Sequence, residues 1–167
     1  MTVRVALIGC GFFARNHVLA WRDLPGAEVV AVCDLDAARA GAFATEFGAR
    51  PFTDAAAMLA EIRPDVVDVA TTVPSHRALV ELSARSAGAV ICQKPFATTL
   101  EDGRAMVAAC AAAGVPLFVH ENFRWQKPWR EIAALAATGR IGTPHFLRLS
   151  FRHGYDIYAN QPYLAEE

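Results

Sequence analysis

Residues 3–14 read V-R-V-A-L-I-G-C-G-F-F-A, and the fold turns on how this stretch is read. An apolar, β-branched run ends in Gly9-Cys10-Gly11 and passes into apolar positions at helical spacing: Phe12, Phe13, His17, Ala20, Trp21 and Leu24. The pattern predicts a strand, a tight glycine turn and the first turn of a helix. Gly9 permits the reversal, Gly11 has no Cβ to block close approach of a phosphate to the backbone, and small Ala14 lets the helix lie close on the strand. The free N–H groups at the helix start, around Phe12 and Phe13, then face a site suited to an anion.

A lone G-x-G-x-x-[GA] recurs by chance, so its surroundings carry the argument. Pro25-Gly26 stops the helix, and a second strand over 28–33 ends in Asp34, at the distance expected of an acid that holds a ribose. Context, spacing and acid agree on a dinucleotide site rather than a phosphate-free turn with a surface Asp at a strand end.

The rest of the chain keeps the same rhythm. Asp36 is placed to cap a helix to about Phe47 that ends at Gly48; a short strand over 50–52 follows, then Asp54 as the cap of a helix over 55–62. Residues 66–72, V-V-D-V-A-T-T, read as a buried parallel strand, and Pro74-Ser75 opens a helix over 76–87. A strand over 89–92 runs into Gln93-Lys94-Pro95. Thr98 and Thr99, with Glu101 and Asp102 three positions on, mark the start of a helix over 100–113, which Gly114 closes before a strand over 115–120. Six strands alternating with helices imply an α/β doubly wound parallel sheet of the Rossmann type, over residues 1–121.

Beyond it the pattern changes. Residues 122–128, N-F-R-W-Q-K-P, form a loop dense in aromatic and basic residues, followed by a helix over 129–138 and a turn at Ile141-Gly142-Thr143-Pro144. Residues 145–152 then alternate Phe146, Leu147, Leu149 and Phe151 against polar neighbours, as a half-buried strand does. Residues 122–167 are expected to be a connecting helix and first strand, the truncated start of a second α+β domain. The last strand, left without partners, would be the route to a homo-oligomer or a complementing chain.

Composition narrows the function. A formal net charge of −1 and the lack of any Lys/Arg block argue against a nucleic-acid partner, and no stretch approaches the length of a membrane span. Cys10, Cys33, Cys92 and Cys110 are widely spaced with no C-x-x-C pair, which points to reduced, buried thiols in a cytoplasmic protein rather than a metal site. Lysine occurs only at 94 and 127, so lysine chemistry has few candidates.

In an open α/β sheet the ligand lies outside the carboxyl ends of the strands. Asp34, the turn from Thr71 to His76, Gln93-Lys94-Pro95 and the segment from His120 to Arg124 lie at such ends. Lys94, held against a proline, is placed to transfer a proton at the cleft, or is a solvated loop lysine. His76 either bonds a cofactor phosphate or satisfies the helix start after Pro74. Asn122 and Arg124 either orient an amide or carboxylate or anchor the Trp125 loop. His17, His145 and His153 read as surface or packing residues, while His120 stays open. Tyr155 and Tyr158 lack a lysine four residues on, and no G-K-[ST] is present, which argues against a short-chain dehydrogenase pair and a Walker-type site.

The set G-C-G-F-F-A, V-C-D-L-D, T-T-V-P-S-H, C-Q-K-P-F-A, E-N-F-R-W and G-R-I-G-T-P, in this order and spacing, resembles the N-terminal half of the glucose–fructose oxidoreductase / inositol dehydrogenase (Gfo/Idh/MocA) family of nicotinamide-dependent sugar dehydrogenases. The resemblance implies that Gly9, Gly11 and Ala14 match the pyrophosphate turn. Asp34 would match the acid on the adenosine ribose, favouring NAD over NADP. Lys94 would match the lysine between nicotinamide and substrate, often with a cis bond to Pro95, and His76 and Arg124 fall on cofactor-facing turns. The implied reaction is reversible hydride transfer between a sugar or polyol carbinol carbon and nicotinamide, with proton transfer at the alcohol. Gln93 departs from the family's usual Glu-Lys-Pro, keeping hydrogen-bonding reach and losing the charge. The large antiparallel sheet of the family's second domain and its Asp/His pair assisting the lysine are expected to lie beyond these 167 residues. Two readings follow: the cofactor-binding half of a dehydrogenase, or a non-catalytic dinucleotide-binding, redox-sensing or assembly module.

Overall fold

A computed structural model describes residues 1–150, 152 and 154. It divides into two compact units, residues 1–120 and the residues from 121 onward.

The first unit is a six-stranded parallel sheet with strands β1 (Val3–Ile8), β2 (Ala27–Cys33), β3 (Arg50–Phe52), β4 (Val66–Val69), β5 (Ala89–Gln93) and β6 (Leu117–His120), in the order β3-β2-β1-β4-β5-β6. The connecting helices are α1 (Ala14–Arg22), α2 (Ala37–Phe47), α3 (Ala55–Ile62), α4 (His76–Ser83) and α5 (Leu100–Ala113). The doubly wound α/β architecture expected from the sequence is the one formed.

Alternation along each strand assigns the two faces. Val5 and Leu7 of β1 pack with Val29 and Val32 of β2 against Ala14 and Val18 of α1 and Ala44 of α2. Ala6 and Ile8 turn the other way, joining Val67, Val69, Val90 and Cys92 under Met58, Leu59 and Ile62 of α3, Val80 of α4 and Met106 of α5. Leu7 is completely buried, which is worth about 2–3 kcal/mol for a side chain of this size.

Local signals place most boundaries where the sequence puts them. Asp36 accepts from the amides of Ala38 and Arg39, and Gly48 closes α2 at φ 73°. Asp54 caps α3 by accepting from Ala57 N. Thr99 Oγ1 accepts from Asp102 N at 3.1 Å and donates to the Asp102 carboxylate at 2.8 Å. Several boundaries differ. Strand β4 stops at Val69, three residues short of the expected end, where Ala70 N still bonds Ile8 O at 2.8 Å before the chain turns. Helix α4 ends at Ser83 rather than 87, because Arg85 and Ser86 tighten to bonds with the carbonyls three residues back. Strand β6 begins at Leu117 rather than 115.

In the second unit, Asn122–Trp125 form a 3-10 turn and α6 spans Lys127–Ala137. This helix begins two residues before the expected position, since Pro128 fits the first helical turn. No residue of α6 is buried. Residues 145–150, expected to form a strand, carry no regular structure: a strand needs a ladder, and the described residues offer it no partner. Phe151, His153 and the stretch from Tyr155 to Glu167 lie outside the described residues.

Candidate functional site

All the candidate turns of the first unit emerge at one end of the sheet. Strand β1 has β2 on one side and β4 on the other, so successive crossovers depart in opposite directions and leave a crevice at the carboxyl ends between them.

At the rim of that crevice Gly9 adopts φ +99°, and a Cβ there would lie 2.6 Å from Ala70 O and 3.0 Å from Thr71 Cγ2. Glycine is thus required twice, by the backbone conformation and by close approach to the end of β4. Gly9 N donates to Cys33 O at 2.7 Å, tying the turn to β2. Gly11 differs: a Cβ at this position would meet nothing of the chain within 4 Å. The space in front of it is open, as a phosphate cradle requires. Helix α1 starts at buried Ala14 with no side-chain cap; Asn16 N bonds Phe13 O at 3.0 Å, and no side chain covers the N–H groups ahead of it at the helix start. Phe12 stands 63% exposed on the turn.

Asp34 follows β2 and is fixed by two backbone donors, Cys10 N to Oδ2 at 2.8 Å and Asp36 N to Oδ1 at 2.9 Å, with Arg39 Nη2 3.5 Å from Oδ1. Each carboxylate oxygen keeps a second lone pair for a hydroxyl donor. Burial, reinforced by the Asp34 carboxylate, pushes the Cys10 thiol up to about 12 and the Cys33 thiol to about 11. Burial also raises Cys92 to about 12. All four cysteines are buried and free, so they serve as small apolar core residues.

Lys94 follows β5, half-buried, with a cis peptide to Pro95. Its Nζ lies 5.9 Å from the centroid of the Phe13 ring, which places it beside the glycine turn. Behind it the same sheet face carries an unexpected polar seam. Alternation turns Asp68 of β4, Gln93 of β5 and His120 of β6 toward α1, whose His17 and Trp21 point back at them. His17 Nδ1 lies 2.9 Å from Asp68 Oδ2, Trp21 Nε1 donates to the same oxygen at 2.8 Å, and Gln93 Nε2 is 2.8 Å from His17 Nε2. Gln93 Oε1 in turn accepts from Lys94 N. The His120 ring lies 4.1 Å from that of His17, with Phe13 edge-on to both.

The sequence alone gives His17 a surface or packing role; in the structure it is 3% exposed and fully engaged in hydrogen bonds. Asp68, 1% exposed, reads in the sequence only as one letter of an apolar strand. An acid inside V-V-D-V-A is the available signal, since a buried carboxylate demands donors.

His76 is completely buried. Its Nδ1 lies 3.1 Å from Phe96 O and its Nε2 3.1 Å from Thr71 O, so it joins the turn after β4 to the loop after Lys94. Thr71 Oγ1 accepts from Ser75 Oγ at 2.7 Å. In the second unit, Asn122 lies in the 3-10 turn, and the Arg124 guanidinium rests 5.4 Å from the Trp125 ring centroid. Among the described residues no group of three His, Cys, Asp or Glu side chains gathers to hold a metal, and no helix is long and apolar enough to cross a membrane.

A six-stranded doubly wound sheet with a glycine turn at its switch point and an acid after β2 defines a dinucleotide-binding domain. The oxidoreductase family with an NAD-binding Rossmann fold, Gfo/Idh/MocA, matches residues 3–121, and the chain belongs to it. It is 59% identical over 161 residues to a D-apiose dehydrogenase of Paraburkholderia graminis, covering 96% of this chain and 43% of that protein. It is 52% identical over 162 residues to a D-apiose dehydrogenase of Rhizobium rhizogenes, covering 96% and 47%. An oxidoreductase from Agrobacterium radiobacter, solved with NAD+, L-tartaric acid and magnesium, superposes with a TM-score of 0.94 at 50% identity, covering 99% of this chain and 48% of that one. The chain therefore spans about half the length of these relatives.

Proposed function

We propose that the chain is the NAD-binding half of a sugar or polyol dehydrogenase, with Lys94 as the proton-transfer residue. The observation that supports this best is the pairing of two features within one crevice: the open cradle at Gly11 under the uncapped start of α1, and Lys94 Nζ beside the same turn. NAD, when bound, supplies the hydride acceptor. The residues present fit it. The N–H groups from Gly11 through Phe13 and Ala14 would hold the pyrophosphate, as a helix start holds an anion. Asp34, its carboxylate already oriented by Cys10 N and Asp36 N, would accept from the adenosine ribose hydroxyls. A 2′-phosphate there would face this carboxylate, which favours NAD over NADP.

Thr71 would line the crevice opposite the glycine turn, with His76 backing it from inside. Gln93 would support Lys94 through its backbone amide, leaving the Lys94 side chain to take the alcohol proton as the amine or to give it back as the ammonium. Asn122 and Arg124 are candidates for contacts to the nicotinamide side. The sugar-binding wall and the partner would come from residues outside this half, in a polypeptide of full family length or a complementing chain, with the 145–152 stretch as the junction. The similarity to D-apiose dehydrogenases makes D-apiose the first substrate to try.

Titration of the 167-residue chain with NADH, read by nicotinamide fluorescence, is expected to saturate, and Asp34→Ala to weaken binding about tenfold or more. Absence of binding at about millimolar NADH, in a folded sample, overturns the reading. In a polypeptide of full family length, Lys94→Met is expected to lower turnover about a hundredfold or more with NADH binding retained; retained turnover would remove Lys94 from the chemistry.

A further inference from the structure

We infer that Asp68, His17 and Gln93 form a positioning chain with a single direction of hydrogen-bond donation, which anchors Lys94 and holds the site's buried negative charge on β4 rather than beside the lysine.

The direction is forced from both ends. The Trp21 indole N–H can only donate, so Asp68 Oδ2 accepts it at 2.8 Å. The Lys94 backbone N–H can likewise only donate, so the Gln93 atom it meets at 2.6 Å is the carbonyl oxygen. That fixes the carboxamide, and its NH₂ must then face His17 Nε2 at 2.8 Å. An NH₂ group has no lone pair to offer, so His17 Nε2 is the unprotonated nitrogen and accepts. His17 Nδ1 therefore carries the proton and donates it to Asp68, whose oxygens lie 2.9 and 3.0 Å away. Every donor and acceptor is consistent with its neighbours, and the imidazole is held neutral in the Nδ1–H form. The side chains of His17 and Asp68 are 1% and 2% exposed, so water does not compete for these positions.

The consequence for Lys94 is positional. Its amide is tied through Gln93 and His17 to an acid on the neighbouring strand, and the residue before it carries no charge. Glutamate at 93 would keep the bond to Lys94 N but present a second carboxylate to the same imidazole. Glutamine is therefore the residue that completes this chain while Asp68 is present. That Lys94 takes part in a reaction rests on the reading above; the polarity of the chain does not.

The test is a long-range proton–nitrogen NMR correlation of the histidine rings in the 167-residue chain near pH 7. His17 is expected to show an unprotonated, pyridine-type Nε2 and a protonated Nδ1. In the charge-swapped variant Asp68→Asn with Gln93→Glu the order reverses. Trp21 then donates to the oxygen of the new carboxamide on β4, the NH₂ of that carboxamide donates to His17 Nδ1, and His17 Nε2–H donates to the carboxylate at position 93. A protonated Nε2 in the parent protein overturns the inference without any variant. Hydrogen exchange at the Lys94 amide gives the second readout. Gln93→Ala is expected to accelerate it about tenfold, about what one lost hydrogen bond allows, and Gln93→Glu to restore it. Unchanged exchange in Gln93→Ala overturns the anchoring role. NADH titration of the same samples separates this outcome from failure of the cofactor reading, because binding can persist with the chain disproved and fail with it intact.

Discussion

The two units of the molecule carry apolar patterns of similar strength and meet different fates. In residues 1–120, Val5 and Leu7 face one layer of helices and Ala6 and Ile8 the other, and all four are buried. From residue 121 onward, Ile132 and Leu135 of α6 are exposed, and Phe146, Leu147 and Leu149 are 84, 75 and 62% exposed. Periodicity states which side chains would gain from burial. It becomes structure only where another surface supplies the contacts and, for a strand, the backbone partners. The sheet supplies both for the first unit.

Substitutions are expected to separate the two regions. Leu7→Ala, inside the sheet, should cost about 3–5 kcal/mol in urea unfolding; a loss below about 1 kcal/mol would mean that the sheet is not the cooperative core. Gly9→Ala should cost about 3 kcal/mol, since it combines φ +99° with a Cβ 2.6 Å from Ala70 O, and should abolish NADH binding. Gly11→Ala is its counterpart. Stability should stay within about 0.5 kcal/mol while NADH affinity falls about tenfold, because only the ligand would meet the added methyl.

The buried thiols give the sheet a pH signature. Folding raises Cys10 and Cys92 to about 12 and Cys33 to about 11, from an ordinary 9.0. Above pH 9 the unfolded chain releases these protons first and so binds fewer than the folded one; stability therefore falls as pH rises from 9 toward 12. The urea midpoint should drop between about pH 8 and pH 10 and recover part of that drop in Cys92→Ala relative to its own value at pH 8. Thr99→Ala, which removes the cap of α5, should cost about 1 kcal/mol by the same assay. Leu149→Ala should be smallest, within about 0.5 kcal/mol; a larger loss would show that this stretch is buried in solution.

Much of the local geometry of the candidate site was legible because local chemistry writes it. Gly9 and Gly11 mark a turn and an open approach, Asp34 follows a strand by fixed spacing, and Asp36, Asp54 and Thr99 cap helices through their own oxygens. The polar seam was illegible because its members come from α1, β4, β5 and β6 and meet only when the strands align. His17 alone looks like a packing residue, and Gln93 alone looks like a departure from Glu-Lys-Pro.

By itself the sequence determined the α/β architecture, the glycine turn and the candidate acid and lysine, since each depends on neighbours within a few residues or on a period of two or 3.6. Only the tertiary structure decided that Asp68, His17 and Gln93 share one face, that His76 turns inward to two carbonyls, and that Gly11 opens on free space while Gly9 is pressed on β4. The physical reason is range. Turns, caps and periodicity act along the chain, whereas the direction of a buried hydrogen-bond chain is fixed by donors that strand register brings together across 76 positions of sequence.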